Sequence, residues 1–164
     1  TGDVTPEGRL VVRSENRAEV ELHGFEGGLQ WLATERLEAY LAMNWTWGEE
    51  RSAGGLTAPA DRVPPLNGRL GLRWQVLDRL ALEPFVLFAA RQDRLSPRDL
   101  RDPRINPNGT PGWADLNLNL TWRANDRVAL GLRLGNLLDE AYREHGSGID
   151  RPGRHAGLWV DGAF

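Results

Sequence analysis

The sequence predicts an all-β chain: an antiparallel, up-and-down transmembrane β-barrel segment of about eight strands. Three observations carry that prediction. Most of the chain alternates with period two, which belongs to strands rather than helices. The alternation sets apolar residues against charged and amide ones, as a wall needs when one side meets hydrocarbon and the other a wet or plugged lumen. Short turns also alternate with long loops, as they do when the turns of successive hairpins gather at one end of a barrel and the loops at the other.

Taken in order, Gly8 to Glu15 reads as a short strand, closed by a tight turn at Asn16-Arg17. Ala18 to Ala33 is extended, with Val20 and Leu22 on even positions and Leu29, Trp31 and Ala33 on odd ones. A strand changes face only by taking in an extra residue, so a bulge is expected near Gly27-Gly28. After the turn Thr34-Glu35-Arg36, Leu37 to Trp47 sets Leu37, Ala39, Leu41, Met43, Trp45 and Trp47 against Glu38, Tyr40, Ala42, Asn44 and Thr46. Gly48 to Asn67, rich in glycine, proline and charge, reads as a long loop.

Gly68 to Val76 resumes as a strand, with Leu70, Leu72 and Trp74 opposed to Arg69, Gly71 and Arg73. Leu77-Asp78-Arg79 turns the chain into Leu80 to Arg91, a strand that contains Pro84 and so lacks one ladder donor. A second long loop runs from about Gln92 to Gly112. Trp113 to Arg123 opposes Leu116, Leu118, Leu120 and Trp122 to Asp115, Asn117, Asn119 and Thr121. The turn Ala124-Asn125-Asp126 leads to Arg127 to Leu137, where Val128, Leu130, Leu132 and Leu134 oppose Gly131, Arg133 and Gly135. A third loop, Leu138 to Gly153, precedes the last strand, Arg154 to Phe164, with Ala156, Leu158, Val160 and Gly162 on the apolar face.

Composition narrows the function. The chain has 164 residues and a net charge of −3, with no basic cluster of the kind that tracks phosphates, so nucleic acid is not an expected partner. Cysteine is absent, which excludes a disulfide scaffold and thiolate metal sites. No apolar run reaches the roughly 18–20 residues of a membrane helix, a silence that barrel strands share. Neither a signal peptide nor a cleavage site is evident, and the chain reads as a segment cut from a longer one. Of the seven Trp, Trp31, Trp74 and Trp122 lie outward just before short turns, while Trp45 and Trp47 lie outward near a long loop. Two such bands match aromatic girdles at the two membrane interfaces.

The segment Asn136-Leu137-Leu138-Asp139-Glu140-Ala141-Tyr142, then Pro152-Gly153-Arg154 and a last strand ending in Phe164, resembles the C-terminus of TonB-dependent outer-membrane receptors. Gly24-Phe25-Glu26 is similar to a Gly-x-Glu strand of that family, and Val63-Pro64-Pro65 before Gly68-Arg69-Leu70 to its Pro-Pro segment. The resemblance runs from about Gly8 to Phe164. It implies a 22-stranded barrel occluded by an N-terminal plug, importing ferric siderophores, cobalamin or similar scarce solutes with energy from TonB. On that reading residues 1–164 are the C-terminal part of the barrel, without the plug domain or the N-terminal strands. TonB would act only through the missing plug. Phe164, with Val160 and Leu158 before it, resembles the signal read by the barrel-assembly machinery.

No catalytic chemistry is expected. Glu26, Glu38, Glu83, Asp115 and Asp161 are strand carboxylates, read as lumen residues satisfied by neighbouring arginines. His23, His145 and His155 lack metal-ligand spacing, no serine carries an elbow motif, and no phosphate loop opens a helix. No cofactor or metal is expected. Arg69, Arg73 and Arg133 are the lumen-facing candidates, able to meet a plug or an anionic solute. The loops near 48–67, 92–112 and 138–153 are the expected ligand-capturing elements. Outer-membrane lipid of a Gram-negative bacterium is the expected surroundings. Two other readings stay open: a self-contained eight-stranded outer-membrane barrel with a structural or adhesion role, and a soluble ligand-binding β-barrel. Taken alone, the chain is expected to form an open curved sheet whose edges, near Leu10 and Leu158, lack neighbours.

Overall fold

A computed structural model of the chain describes Gly8, residues 18–52 and residues 54–163. The short strand expected at Gly8 to Glu15, the edge near Leu10 and the terminal Phe164 fall outside those residues. The rest is one antiparallel sheet: β1 (Ala18–Thr34), β2 (Leu37–Ser52), β3 (Thr57–Pro59), β4 (Asn67–Leu77), β5 (Leu80–Ala89), β6 (Trp113–Arg123), β7 (Val128–Gly135) and β8 (His155–Gly162). The order across the sheet is β1-β2-β4-β5-β6-β7-β8, with β3 added beside the upper part of β2. Each long strand therefore pairs with the next in sequence, an up-and-down meander. β1 and β8 stand at opposite edges and the sheet does not close on itself. Helix among the described residues is a single 3-10 turn, Asp99–Arg101.

Side-chain facing follows the expected parity. Leu70, Leu72 and Trp74 of β4, Trp45 of β2 and Trp122 of β6 stand exposed on the outer face, Leu72 at 42% and Trp74 at 48%. On the opposite face Tyr40, Phe85, Asp115 and Asn117 are buried. The polar side is thus the covered one and the leucine side the bare one, the inverse of a soluble sandwich. Leu41, Leu118 and Leu132 belong to the same outer face, in register with Leu70, Pro84 and Leu158 respectively.

Three details differ from the sequence reading. β1 pairs with β2 without interruption through Gly27↔Met43 and Gly28↔Ala42, and the register shift lies instead between Leu32 and Thr34. The strand keeps its face because Val20 and Leu22 remain on the inner side, opposite Glu50 and Gly48. Leu22 lies over Gly48, in space a Cβ at position 48 would fill, and Ala60 and Val63 border the same space. Val20 and Leu22 are nonetheless more than half exposed, at 53% and 60%. β2 also runs on to Ser52, and the loop after it contains β3, which pairs with Glu49, Glu50 and Arg51. The glycine and proline content of 48–67 hid that ribbon.

The third concerns height. β1 and β2 have 17 and 16 residues, and at about 3.3 Å per residue β1 is roughly 55 Å long. About 9–11 tilted residues cross a bilayer, so both strands are longer than such a crossing needs. Pro84 sits within β5 opposite Leu118 of β6, while the ladder to β4 skips from Phe85↔Gly71 to Leu82↔Trp74. The missing N–H costs its rung on the β4 side alone.

Candidate functional site

The inner face of β2, β4, β5, β6 and β7 carries one connected polar network centred on Glu83. Tyr40 Oη donates to Glu83 Oε1 at 2.8 Å, Arg69 Nη2 donates to the same oxygen at 2.9 Å, and Asn119 Nδ2 donates to Oε2 at 2.8 Å. Arg69 Nε donates to Tyr40 Oη at 2.9 Å, closing a triangle. Arg73 holds Glu38 at 2.8 Å and approaches Glu83 at 3.8 Å. Arg133 Nε reaches Asn119 Oδ1 at 3.0 Å, which carries the network onto β7. Ring faces complete it: the Arg69 guanidinium lies 3.8 Å from the Phe85 centroid and that of Arg73 4.5 Å from Tyr40. A cation over an aromatic face gains from the ring quadrupole, the more so where water is thinned out.

All three lumen-facing candidates, Arg69, Arg73 and Arg133, thus meet in one network. Of the strand carboxylates, Glu83 and Glu38 have arginine partners as expected. Asp115 does not: its Oδ2 accepts from Tyr142 Oη at 2.8 Å. Tyr142 comes from the β7–β8 loop, which folds back over the inner face and stacks its ring on Trp113 with centroids 4.1 Å apart. Glu26 and Asp161 make no ion pair with a described residue. Tyr40 was not singled out in the sequence, although an aromatic hydroxyl on the polar face of the cleanest strand was a usable signal. The assembly-signal residues Leu158 and Val160 lie on the outer face of β8, 84% and 72% exposed, opposite Leu132 and Leu130.

The residues of the C-terminal motif assemble into a clasp. Asn136 is fully buried with φ 49, and Asp139 has φ 58. The Asn136 side chain donates to Glu140 O at 2.9 Å and Pro152 O at 3.1 Å, and accepts from Glu140 N at 2.8 Å. Asp139 Oδ1 accepts from Arg154 N at 3.1 Å, and Arg154 Nε donates to Leu137 O at 3.2 Å. Burial, then the bond to Asp115, pushes the Tyr142 phenol above its ordinary pKa, so it stays a neutral donor. Between wall and loop lies a cavity of about 350 Å³ lined by Arg69, Phe85, Asn117, Arg133, Arg151 and His155 among others.

At the loop end three loops interlock. Arg62 pairs with Asp102 at 2.7 Å, Arg98 with Asp61 at 3.0 Å, and Gln92 Nε2 donates to Val63 O at 2.7 Å. Ser96 and Asp99 cap each other, each backbone N–H donating to the other's side chain at 3.0 and 2.9 Å. His145 Nδ1 lies 2.9 Å from Thr110 Oγ1, while its Nε2 is buried without a partner, as are one oxygen each of Asp61 and Asp99. Burial pulls the His145 pKa below the ordinary value and Arg62 adds to that, against the opposing pull of Asp99 and Asp61. A histidine held below its unfolded pKa binds its proton more readily once released. Its contribution is therefore complete above about pH 6.5 and lost as pH falls from there through the lowered folded value. Hydrogen exchange of residues 141–150 should accelerate as pH falls through that window, after correction for intrinsic rates. In His145→Asn the corrected rates should not respond to pH.

A family model described as "TonB dependent receptor-like, beta-barrel" matches residues 1–137. A comparison with curated protein sequences finds no match. Among solved structures, the copper transporter OprC aligns at 22% identity and a TM-score of 0.72, over 88% of this chain and 24% of that one. The closed form of the ferric-catecholate import receptor Fiu from E. coli K12 aligns at 15% identity and 0.62, over 96% of this chain and 22% of that one. A mutant ferric enterobactin receptor of Pseudomonas aeruginosa, PfeA in complex with enterobactin, aligns at 19% and 0.58, over 85% and 22%. The chain spans about a quarter of the length of each. At these identities the likeness is one of fold, and it agrees with a sheet that is part of a barrel wall. The family consists of transporters rather than enzymes. By the family model, which covers most of its length, the chain belongs to the TonB-dependent receptor β-barrel family.

Proposed function

We propose that residues 1–164 form the C-terminal part of a receptor barrel in the outer membrane of a Gram-negative bacterium. The barrel would serve TonB-energised uptake of a scarce solute such as a ferric siderophore or cobalamin. The observation that carries this reading is the division of the sheet: leucine and tryptophan bare on one face, and the Glu83 network on the other. The similar folds are those of a copper transporter, a ferric-catecholate import receptor and a ferric enterobactin receptor, which supports a metal-linked solute as the first to test. In this reading the outer face meets lipid and the barrel-assembly machinery reads the C-terminal segment of the sequence, with Leu158, Val160 and Phe164. TonB acts through a plug encoded elsewhere in the protein. Arg73, whose side chain is half exposed, and Arg133, also exposed, are offered on the inner face to the plug or to an anionic solute.

The test is uptake in an iron-limited Gram-negative host lacking its own catecholate and cobalamin receptors. Labelled ferric catecholate and cobalamin should be presented to cells carrying the receptor that contains this segment, with and without TonB. Accumulation that requires both receptor and TonB supports the reading. Recovery of the protein in the soluble fraction, or the same accumulation without TonB, overturns it.

A further inference from the structure

β8 is the strand whose register nothing local enforces. β1–β2, β4–β5 and β6–β7 are joined by turns of two, two and four residues, at 35–36, 78–79 and 124–127, and short turns set register directly. β8 instead follows the loop 136–154 and, within this chain, pairs with β7 alone; in the barrel reading its other neighbour comes from elsewhere in the protein, joined to it by no short turn. Two positions it faces are glycines, Gly131 and Gly135. A slip of two residues would leave Leu158 and Val160 on the apolar face, so alternation does not forbid it. Glycine-rich pairings are where such slips occur.

We infer that the Asn136–Asp139–Arg154 clasp is the registration device of this last strand. It ties the two feet of the loop together one residue before β8 begins. Asn136 holds Pro152 O, Asp139 holds Arg154 N, and Arg154 holds Leu137 O. Gly153 leaves room beneath it: a Cβ there would stand 2.7 Å from Asp139 Oδ1 and push that carboxylate aside. His155 then enters opposite Gly135 with its Nδ1 3.0 Å from Gly153 O. Its ring fills the space a Cβ at 135 would take, and Trp159 does the same over Gly131. In a two-residue slip Trp159 would face Ala129 or Arg133, and that fit would be lost. Asn136, Asp139 and Arg154 are thus positioning residues that act on strand pairing, with no contact to a solute required. The inference rests on the barrel reading only in that β8 is a wall strand.

Residues 1–164 contain no cysteine, so paired cysteines placed here report register in the membrane-embedded receptor once any cysteine elsewhere in it is replaced by serine. Leu132→Cys with Leu158→Cys marks the observed pairing, and Leu132→Cys with Val160→Cys marks a two-residue slip. Cross-linking should be read on the heat-modifiable, folded species. Unaltered receptor should give the first cross-link almost alone. Asn136→Ala with Asp139→Ala should lower the native-to-slipped ratio by about tenfold, the change expected for losing a few part-buried and exposed hydrogen bonds. Asn136→Gly, which keeps the left-handed backbone but loses the side-chain bonds, should also slip, and serves if the double variant does not assemble. An unchanged ratio in Asn136→Gly, with the receptor embedded, overturns the role assigned to this side chain. A receptor that never embeds would instead count against the barrel reading.

Discussion

Leu118→Arg is expected to destabilise the barrel by about 2–4 kcal/mol, the cost of a guanidinium on the lipid face at mid-membrane. Leu118 is the central residue of β6 (Trp113–Arg123), and it faces outward between Pro84 and Leu134. The same change at Leu130, beside Trp122 near the turn end, should cost roughly 0–1 kcal/mol, because an arginine there reaches the interface. The comparison is made by urea titration of the receptor folded into lipid vesicles, followed by loss of the heat-modifiable band. Two costs of equal size would mean that this face does not look at hydrocarbon, and the membrane assignment would fall with it.

Glu83→Ala is expected to cost on the order of 2 kcal/mol. Breaking a buried ion pair by removing one partner costs about 3–5 kcal/mol, but the Glu83 and Arg69 side chains are 23% and 35% exposed, so water takes up part of the loss. What remains is Tyr40, Arg69 and Asn119 each deprived of an acceptor. Glu83→Gln keeps an acceptor oxygen and should lose about half as much. In a double-mutant cycle with Arg69→Met the two losses should fall short of additivity by about 1 kcal/mol or more, since the pair shares one contact. Strict additivity would show that the wall does not depend on this pairing.

The inner arginines were legible because each sits on the polar parity of an alternating strand. Their partners were only half legible. Glu83 could be listed as a carboxylate in want of a cation, but the sequence does not say that Tyr40, 43 residues away, would share it. Asp115 was matched with arginine on the same logic, and Tyr142 from a loop took the place. Val20 and Leu22 were misplaced for a related reason: an apolar residue on the inner parity looks like a change of face until its pairing with Glu50 or Gly48 is seen. Loops were the poorest guide. Proline and glycine content located them and concealed β3, the Ser96–Asp99 cap and the clasp, all of which depend on backbone directions set by distant residues.

Strand identity and the side each residue takes were determined by the sequence alone, because the pleat alternates side chains with no help from neighbours. Which polar groups meet was decided by the tertiary structure. Contacts such as Arg69 to Tyr40 and Asn119 to Glu83 depend on how far each strand is staggered against the next. That stagger is a sum over turns, bulges and the clasp, and no local stretch of residues contains it.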